Sequence, residues 1–247
     1  SSFARWYVGG ANLSRKDREA MHALIPDVEI FYQYGLTEAG VIVTVLKEKD
    51  YEKAPASIGR AFLNFDVRIL REDLTPADPN EVGEIVVRGP SVMQGYFNNP
   101  EATAAVMHDG WLRTGDMGAM DEGGFVRFHD RLKDMVKTGG LNVYSQEVEQ
   151  VLLRHPAVRE AAIIGLPSDA WGEEVTAVIV LHDGANADVA ELVSFAKQEL
   201  AGYKVPKQVH VVPYDNMPIN YSGKIIKREL RQKLLDAAAG GQGRSAS

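Results

Sequence analysis

The sequence contains no cysteine. That removes disulfide scaffolds, thiolate nucleophiles and cysteine metal sites, and it fits the cytoplasm. Histidine is thin as well. His22, His108, His129, His155, His182 and His210 are scattered without ligand spacing, which argues against a histidine metal centre. No apolar run approaches the length of a membrane span and no signal peptide is read at the start, so no integral membrane segment is expected. Positive charge is in the minority: 27 Lys and Arg stand against 34 Asp and Glu, a formal net charge of -7. A chain of that sign is a poor partner for nucleic acid. Two catalytic signatures are incomplete. GPSVM at 89–93 lacks the second glycine of a nucleophile elbow. SGK at 222–224 has Pro218 where a P-loop needs its first glycine. There is no internal repeat, and nothing fixes an oligomeric state.

What is present is an ordinary globular composition, with 45% hydrophobic and 25% charged residues over 247 positions. That suffices for one large or two ordinary domains. The opening SSFARWYVGGANL enters a strand almost at once, like the middle of a domain. Residues 3–13 read as a buried strand running into Gly9 and Gly10, 15–25 as an amphipathic helix, and 28–34 as a second strand followed by the loop GLTEAG. Strand–helix–strand with a polar loop at the strand end is an α/β unit, and such ends are where ligands sit. From about residue 57 the texture changes to short Gly-bounded strands: IGRAF, FDVRIL, GEIVVRG and GGFVRF. They predict a small β-barrel or distorted sheet, interrupted by a helix near 100–107. After residue 145 come a helix at 146–154, strands at 158–164 and 174–182, a helix at 188–200, a strand at 208–212, a polar loop at 218–224 and a basic helix at 226–238. The expected class is therefore α/β plus α+β. The large domain covers 1–131, as an α/β segment 1–56 and a barrel-like segment 57–131. A separate α+β domain covers 132–235, and a disordered Gly/Ser-rich tail 236–247.

The densest stretch is HDRLKDMVKTGGLNVYSQEVE at 129–149. It sets Arg131, Lys133, Lys137, Gly139 and Gly140 just ahead of a helix for which Ser145 is a good N-cap. It reads as a flexible joint able to hold phosphate or bring backbone close to a ligand, or as a solvated connector. Three further motifs are weak singly. YGLTE at 34–38 offers Glu38 for a magnesium ion and Thr37 for a phosphate oxygen. RTGD at 113–116 offers Asp116 for a ribose diol, with Arg131 as a second contact. Lys224, on a Gly-bearing loop, can reach a phosphate as a point charge. Each alone is more often a plain turn or surface feature.

Their order is the specific signal. GGA, YGLTE, TGD, DRLKDMVKTGG and PINYSGK together resemble the carboxyl-terminal half of the adenylate-forming enzymes: acyl-CoA synthetases, peptide-synthetase adenylation domains and luciferases. GEIVVRGPSVMQGYFNNPEAT and GGLNVYSQEVE resemble the fatty-acid and medium-chain branch. The resemblance implies that Gly9, Gly10, Ala11, Tyr34 and Gly35 line the adenine and acyl-adenylate site. Thr37 would touch the α-phosphate and Glu38 the magnesium, while Asp116 and Arg131 hold the ribose. Lys133 would be the hinge. Lys137, Asn142 and the Gly139–Gly140 backbone would serve thioester formation, and Lys224 adenylate formation. ATP, magnesium, coenzyme A and a carboxylic acid, a fatty acid by that branch, are the implied cofactors and partners.

The chain departs from the family in Asp130, where glycine is frequent, and in Ser145, where proline is usual. The family's phosphate loop lies upstream of any segment like residue 3, so residues 1–247 alone are expected not to turn over. Two alternatives stay open: an adenylating enzyme that loads a separate carrier protein, and a non-catalytic relic.

Overall fold

The computed structural model describes residues 4–10, 13–221 and 223–242, with side chains to residue 239. The chain divides into two compact units, Ser1–Leu132 and Lys133–Ser247.

The first unit opens with β1 (Arg5–Gly9), α1 (Arg15–Leu24) and β2 (Glu29–Tyr34). α1 starts where it does because Ser14 and Asp17 form a reciprocal capping box, each side chain bonding the other's backbone N–H at 3.1 Å. β1 and β2 pair in parallel, with Gly9 opposite Gln33. β3 (Thr44–Leu46) and β4 (Arg60–Ala61) extend this sheet antiparallel. Next come β5 (Asp66–Leu70), β6 (Gly83–Arg88), α2 (Pro100–Val106), β7 (Met107–His108), β8 (Trp111–Met120) and β9 (Val126–Arg131). Asn99 caps α2 by accepting the Ala102 N–H at 3.0 Å, with Pro100 at the first helical position. β8 organises the second sheet. β6 runs along one edge, while β7 and β9 share the other at opposite ends. The sheet curls into a half-barrel. Ile58 and Gly59 bond the backbone of Val126 at 2.8 Å, joining the two sheets over a core of Val43, Ile58, Ile85, Val87, Leu112 and Val126.

The second unit holds β10 (Val136–Thr138), β11 (Leu141–Val143), α3 (Ser145–Leu152), β12 (Val158–Ser168), β13 (Gly172–Leu181), α4 (Val189–Glu199), β14 (Gln208–Val211) and α5 (Lys227–Gln242). Its sheet runs β11–β10–β13–β12, with β14 parallel on β13. Alternate residues of β12 face opposite ways, as the pleat requires. Ala161 and Ile163 pack with Val148, Val151 and Leu152 of α3 and Leu192 of α4. Ala162 and Ile164 pack with Met217 and with Leu230 of α5.

Three readings of the sequence need correction. The stretch around Gly139 and Gly140 is a two-residue hairpin turn rather than a loose joint. Both glycines have positive φ, 56° and 77°, so β10 pairs back on β11. The N-cap of α3 is Tyr144, without a side-chain cap bond; Ser145 is the first helical residue and is fully buried. α5 continues to Gln242, so residues 236–242, expected in a disordered tail, are helical. The last part of that tail, 243–247, lies outside the described residues, as does Ala11.

Candidate active site

In the first unit the fold brings three expected site residues together. Tyr34 ends β2, and Asp116 and Arg131 face each other across the β8–β9 register. The Tyr34 hydroxyl donates to Asp116 Oδ2 at 2.7 Å, while Arg131 Nε lies 3.6 Å from Asp116 Oδ1. Asp116 is buried and Arg131 exposed, so the cation reaches in from solvent. Burial, then the charge and hydrogen bond of Asp116, push the Tyr34 phenol well above its usual range. It therefore stays a neutral donor. Thr114 fixes the turn of the strand: its hydroxyl donates to the Ile85 carbonyl at 2.7 Å and accepts the Asp116 N–H at 3.1 Å. RTGD, a plain turn when read alone, is thus an irregular passage inside β8, where the pairing with β6 shifts register between Glu84 and Val86 and the pairing with β9 between Met117 and Gly118.

The residues after Tyr34 form a tight corner. A Cβ on Gly35 would lie 1.6 Å from the Val41 carbonyl oxygen, so only glycine fits. Thr37–Ala39 is a 3-10 turn, with Thr37 exposed and Glu38 half-buried. The segment after β6 stitches this turn down. Met93 N–H donates to the Glu38 carbonyl at 2.7 Å, Ser91 Oγ to the Ala39 carbonyl at 3.0 Å, and the Tyr96 hydroxyl to Glu38 Oε1 at 3.0 Å. Burial and the Glu38 carboxylate raise the Tyr96 phenol. Glu38 with Thr37 is a hard oxygen set. One carboxylate completed by phosphate oxygens and water is the usual setting of magnesium. Among the described residues no group of three or more His, Asp or Glu could form an all-protein cage. Gly9 and Gly10 close β1, both exposed, and a Cβ on Gly9 would meet the Gln33 carbonyl at 2.9 Å.

In the second unit, Lys137 and Asn142 are cross-strand partners on the β10–β11 hairpin. Gly139 N–H donates to the Trp171 carbonyl at 2.9 Å, so the Gly139–Gly140 turn rests on the β12–β13 turn. A Cβ on Gly139 would come within 3.0 Å of the Trp171 ring. Lys133, the first residue of this unit, is exposed. Lys224 stands on a separate closed loop. Asn220 Oδ1 accepts the Lys224 N–H at 2.9 Å, and the Asn220 N–H bonds the Lys224 carbonyl at 2.9 Å.

Sequence reasoning missed the supporting layer: Glu84, Thr114, Tyr96 and Asn220. Only Glu84 carried a signal, as a lone carboxylate in the apolar strand GEIVVR. It is buried, accepting Arg113 Nε at 2.8 Å and Gly115 N–H at 3.0 Å.

Comparison with known proteins shows the family of the chain. The AMP-binding enzyme profile matches residues 1–97, and the AMP-binding enzyme C-terminal domain profile matches residues 147–224. A feruloyl-CoA synthase from Amycolatopsis is 44% identical over 200 residues, 81% of this chain and 40% of the relative. A long-chain-fatty-acid–CoA ligase from Salmonella typhimurium is 42% identical over 200 residues, 81% of this chain and 35% of the relative. The o-succinylbenzoate CoA synthetase of Bacillus subtilis, solved with its acyl-adenylate intermediate, superposes with a TM-score of 0.83 at 35% identity, covering 92% of this chain and 46% of that one. Its complex with ATP and magnesium ion gives 0.82 at 34% identity, covering 92% and 46%. The chain thus spans less than half the length of these relatives. With both profiles matched in order along it, the chain belongs to the AMP-binding, adenylate-forming enzyme family.

Proposed function

We propose that this chain is part of an ATP-dependent acyl-CoA synthetase. A carboxylate oxygen attacks the α-phosphorus of ATP, and pyrophosphate leaves to give an acyl-adenylate. The thiol of coenzyme A then attacks the acyl carbon, losing its proton, and AMP leaves. The observation that carries the reading is the Tyr34–Asp116–Arg131 constellation. A buried carboxylate that accepts hydroxyl hydrogen bonds, flanked by an exposed guanidinium, suits a ribose diol with a phosphate beyond it. Gly10, with nothing within 4 Å of where a Cβ would go, leaves room for the adenine beside Tyr34, while Gly9 and Gly35 let the backbone close up around that edge. Thr37 holds an α-phosphate oxygen and Glu38 the magnesium, which when bound neutralises charge on phosphoryl oxygens. Lys224 supplies a cation to the same oxygens in the first half-reaction. The Lys137–Asn142 hairpin serves the second, and Lys133 is the pivot between the two. A reaction with two chemistries at one nucleotide is well served by a unit that changes position.

The acid we propose is a fatty acid, on the GEIVVRGPSVMQGYFNNPEAT and GGLNVYSQEVE motifs. An aromatic acid is the second reading, favoured by the feruloyl-CoA synthase relative. The test supplies the full-length enzyme with ATP, magnesium and coenzyme A against a panel of fatty and aryl acids. Acid-dependent AMP and acyl-CoA are expected. Adenylate that is transferred only to a carrier protein, or no AMP with any acid, contradicts the reading.

A further inference from the structure

The second unit carries its two candidate functional segments on separate elements. The Gly139–Gly140 hairpin feeds α3, and the Lys224 loop feeds α5. Ser145, the first residue of α3, comes three positions after Asn142, and Lys227, the first residue of α5, three positions after Lys224. These two helix starts are bonded to each other. Lys227 Nζ lies 2.7 Å from Glu149 Oε1, with the two side chains only 15% and 14% exposed. Lys227 Nζ also donates to the Ser145 hydroxyl. Glu149 Oε1 accepts the Ile163 N–H at 2.7 Å, so the same carboxylate pins both helices to β12, the outer strand of the sheet path. One turn further along α5, Arg231 Nε donates to the Gly165 carbonyl of that strand at 2.8 Å.

The route from the clamp to Lys224 is short and stiff. Ile226 N–H donates to the Pro218 carbonyl at 2.7 Å, Ile219 bridges Ile225, and Asn220 closes the loop on Lys224. The route to the hairpin is one residue, Tyr144, between β11 and α3. A buried ion pair is weak evidence for stability, because its desolvation cost rivals its Coulomb gain. Fixing the geometry of the parts it joins is a better account of why it is there. Ser145 fits this account: fully buried at the start of α3, it offers Lys227 a hydroxyl that accepts.

We propose that Glu149 and Lys227, with Ser145, are positioning residues that lock the Lys224 loop to the Gly139–Gly140 hairpin, so that both segments are presented by one rigid body. The division of labour between those segments rests on the function proposed above; the lock itself does not.

The experiment follows amide hydrogen exchange in the 1–247 chain, resolving segments 137–146 and 219–227. Lys227→Met is expected to speed exchange in both segments by roughly tenfold or more, as local openings replace a broken buried pair. Glu149→Gln, which keeps an acceptor for Ile163, should act on the same two segments to a smaller degree. Lys227→Arg should stay close to the parent, and Arg228→Met, which removes an exposed cation from the same helix, should change neither segment. Faster exchange confined to α5 overturns the proposal. So does a uniform rise across 133–242 in both Lys227→Met and Glu149→Gln, which would mark a general loss of stability. In the full-length enzyme, at a temperature where every variant is folded, Lys227→Met should slow both half-reactions together. A full-length enzyme that makes no acyl-adenylate at all would strike the functional reading and leave the exchange result to decide the lock.

Discussion

Tyr34 and Asp116 show how one hydrogen bond ties chemistry to stability. The phenol sits 2.7 Å from a buried carboxylate. Tyr34→Phe removes the donor and leaves Arg131 as the nearby cation. We expect the fold to persist and nucleotide affinity to drop roughly tenfold, about 1.4 kcal/mol, measured by calorimetry with AMP on the full-length enzyme. Unchanged or tighter binding would mean that Tyr34 competes with the ribose for Asp116. The same bond has an alkaline signature. Because the native phenol is raised above its ordinary value of 10.0, the unfolded chain releases this proton first. Stability is intact below that value and falls as pH rises above it. Tyr34→Phe should therefore flatten the alkaline limb of the unfolding midpoint, over roughly pH 9–11. An unaltered limb would show that Tyr34 does not carry it. Asp116 and Arg131 stood out in the sequence only through the order of the motifs, since RTGD alone reads more often as a plain turn. The sequence left Tyr96 and Thr114 unread, because a hydroxyl that braces a turn looks like any surface hydroxyl until the turn is folded.

At the scale of elements, the Gly139–Gly140 hairpin and the corner at Glu48 make the sharpest predictions. Gly140 has φ 77° with nothing within 4 Å of where a Cβ would go, so conformation alone decides its substitution. Gly140→Ala should cost about 1–2 kcal/mol in urea unfolding of the second unit, without a steric term. No loss would mean that the turn relaxes to another type. Glu48 joins α1 to β2: its carboxylate accepts the Ile30 N–H at 2.9 Å, pairs with buried Arg18, and lies 3.3 Å from His22. Burial alone would raise its pKa, but the bonds from Arg18 and Ile30, with the charges of Arg18 and His22, hold it lower. A lowered carboxylate stabilises the fold above its unfolded value and loses that contribution as pH falls through its folded one. Glu48→Gln should therefore remove part of the acid-induced loss of stability below about pH 4.5; an identical acid limb would contradict this. The periodicity of α3 and α4 was legible because one apolar stripe suffices to fix a helix; α1 departs from this, burying Arg18 and leaving Leu24 of its expected stripe exposed. The hairpin was not, since VKTGGLNV offers only three residues on each side and its partner strand lies more than thirty residues away.

For the molecule as a whole, the boundary at Leu132–Lys133 follows from two separate cores, one around Ile85 and Leu112 and one around Ile163 and Leu192. The change in texture along the sequence, from Gly-bounded alternating strands to long apolar strands and helices, led to an expected boundary between 131 and 132. Limited proteolysis should cut within 131–135 and spare 136–143, leaving a stable C-terminal piece. Cleavage through the hairpin, or uniform degradation of both parts, would contradict a folded unit that begins at Lys133. The central claim is that this one unit serves two half-reactions with two different segments. The most direct measurement follows both halves in the full-length enzyme, pyrophosphate exchange and thioester formation from pre-made acyl-adenylate, for Lys224→Ala and Gly139→Leu. Lys224→Ala should slow adenylate formation on the order of a hundred-fold, roughly 3 kcal/mol, and leave thioester formation nearly unchanged. Gly139→Leu, whose side chain would press on the Trp171 ring, should do the reverse. Equal damage to both halves by both variants would contradict the account.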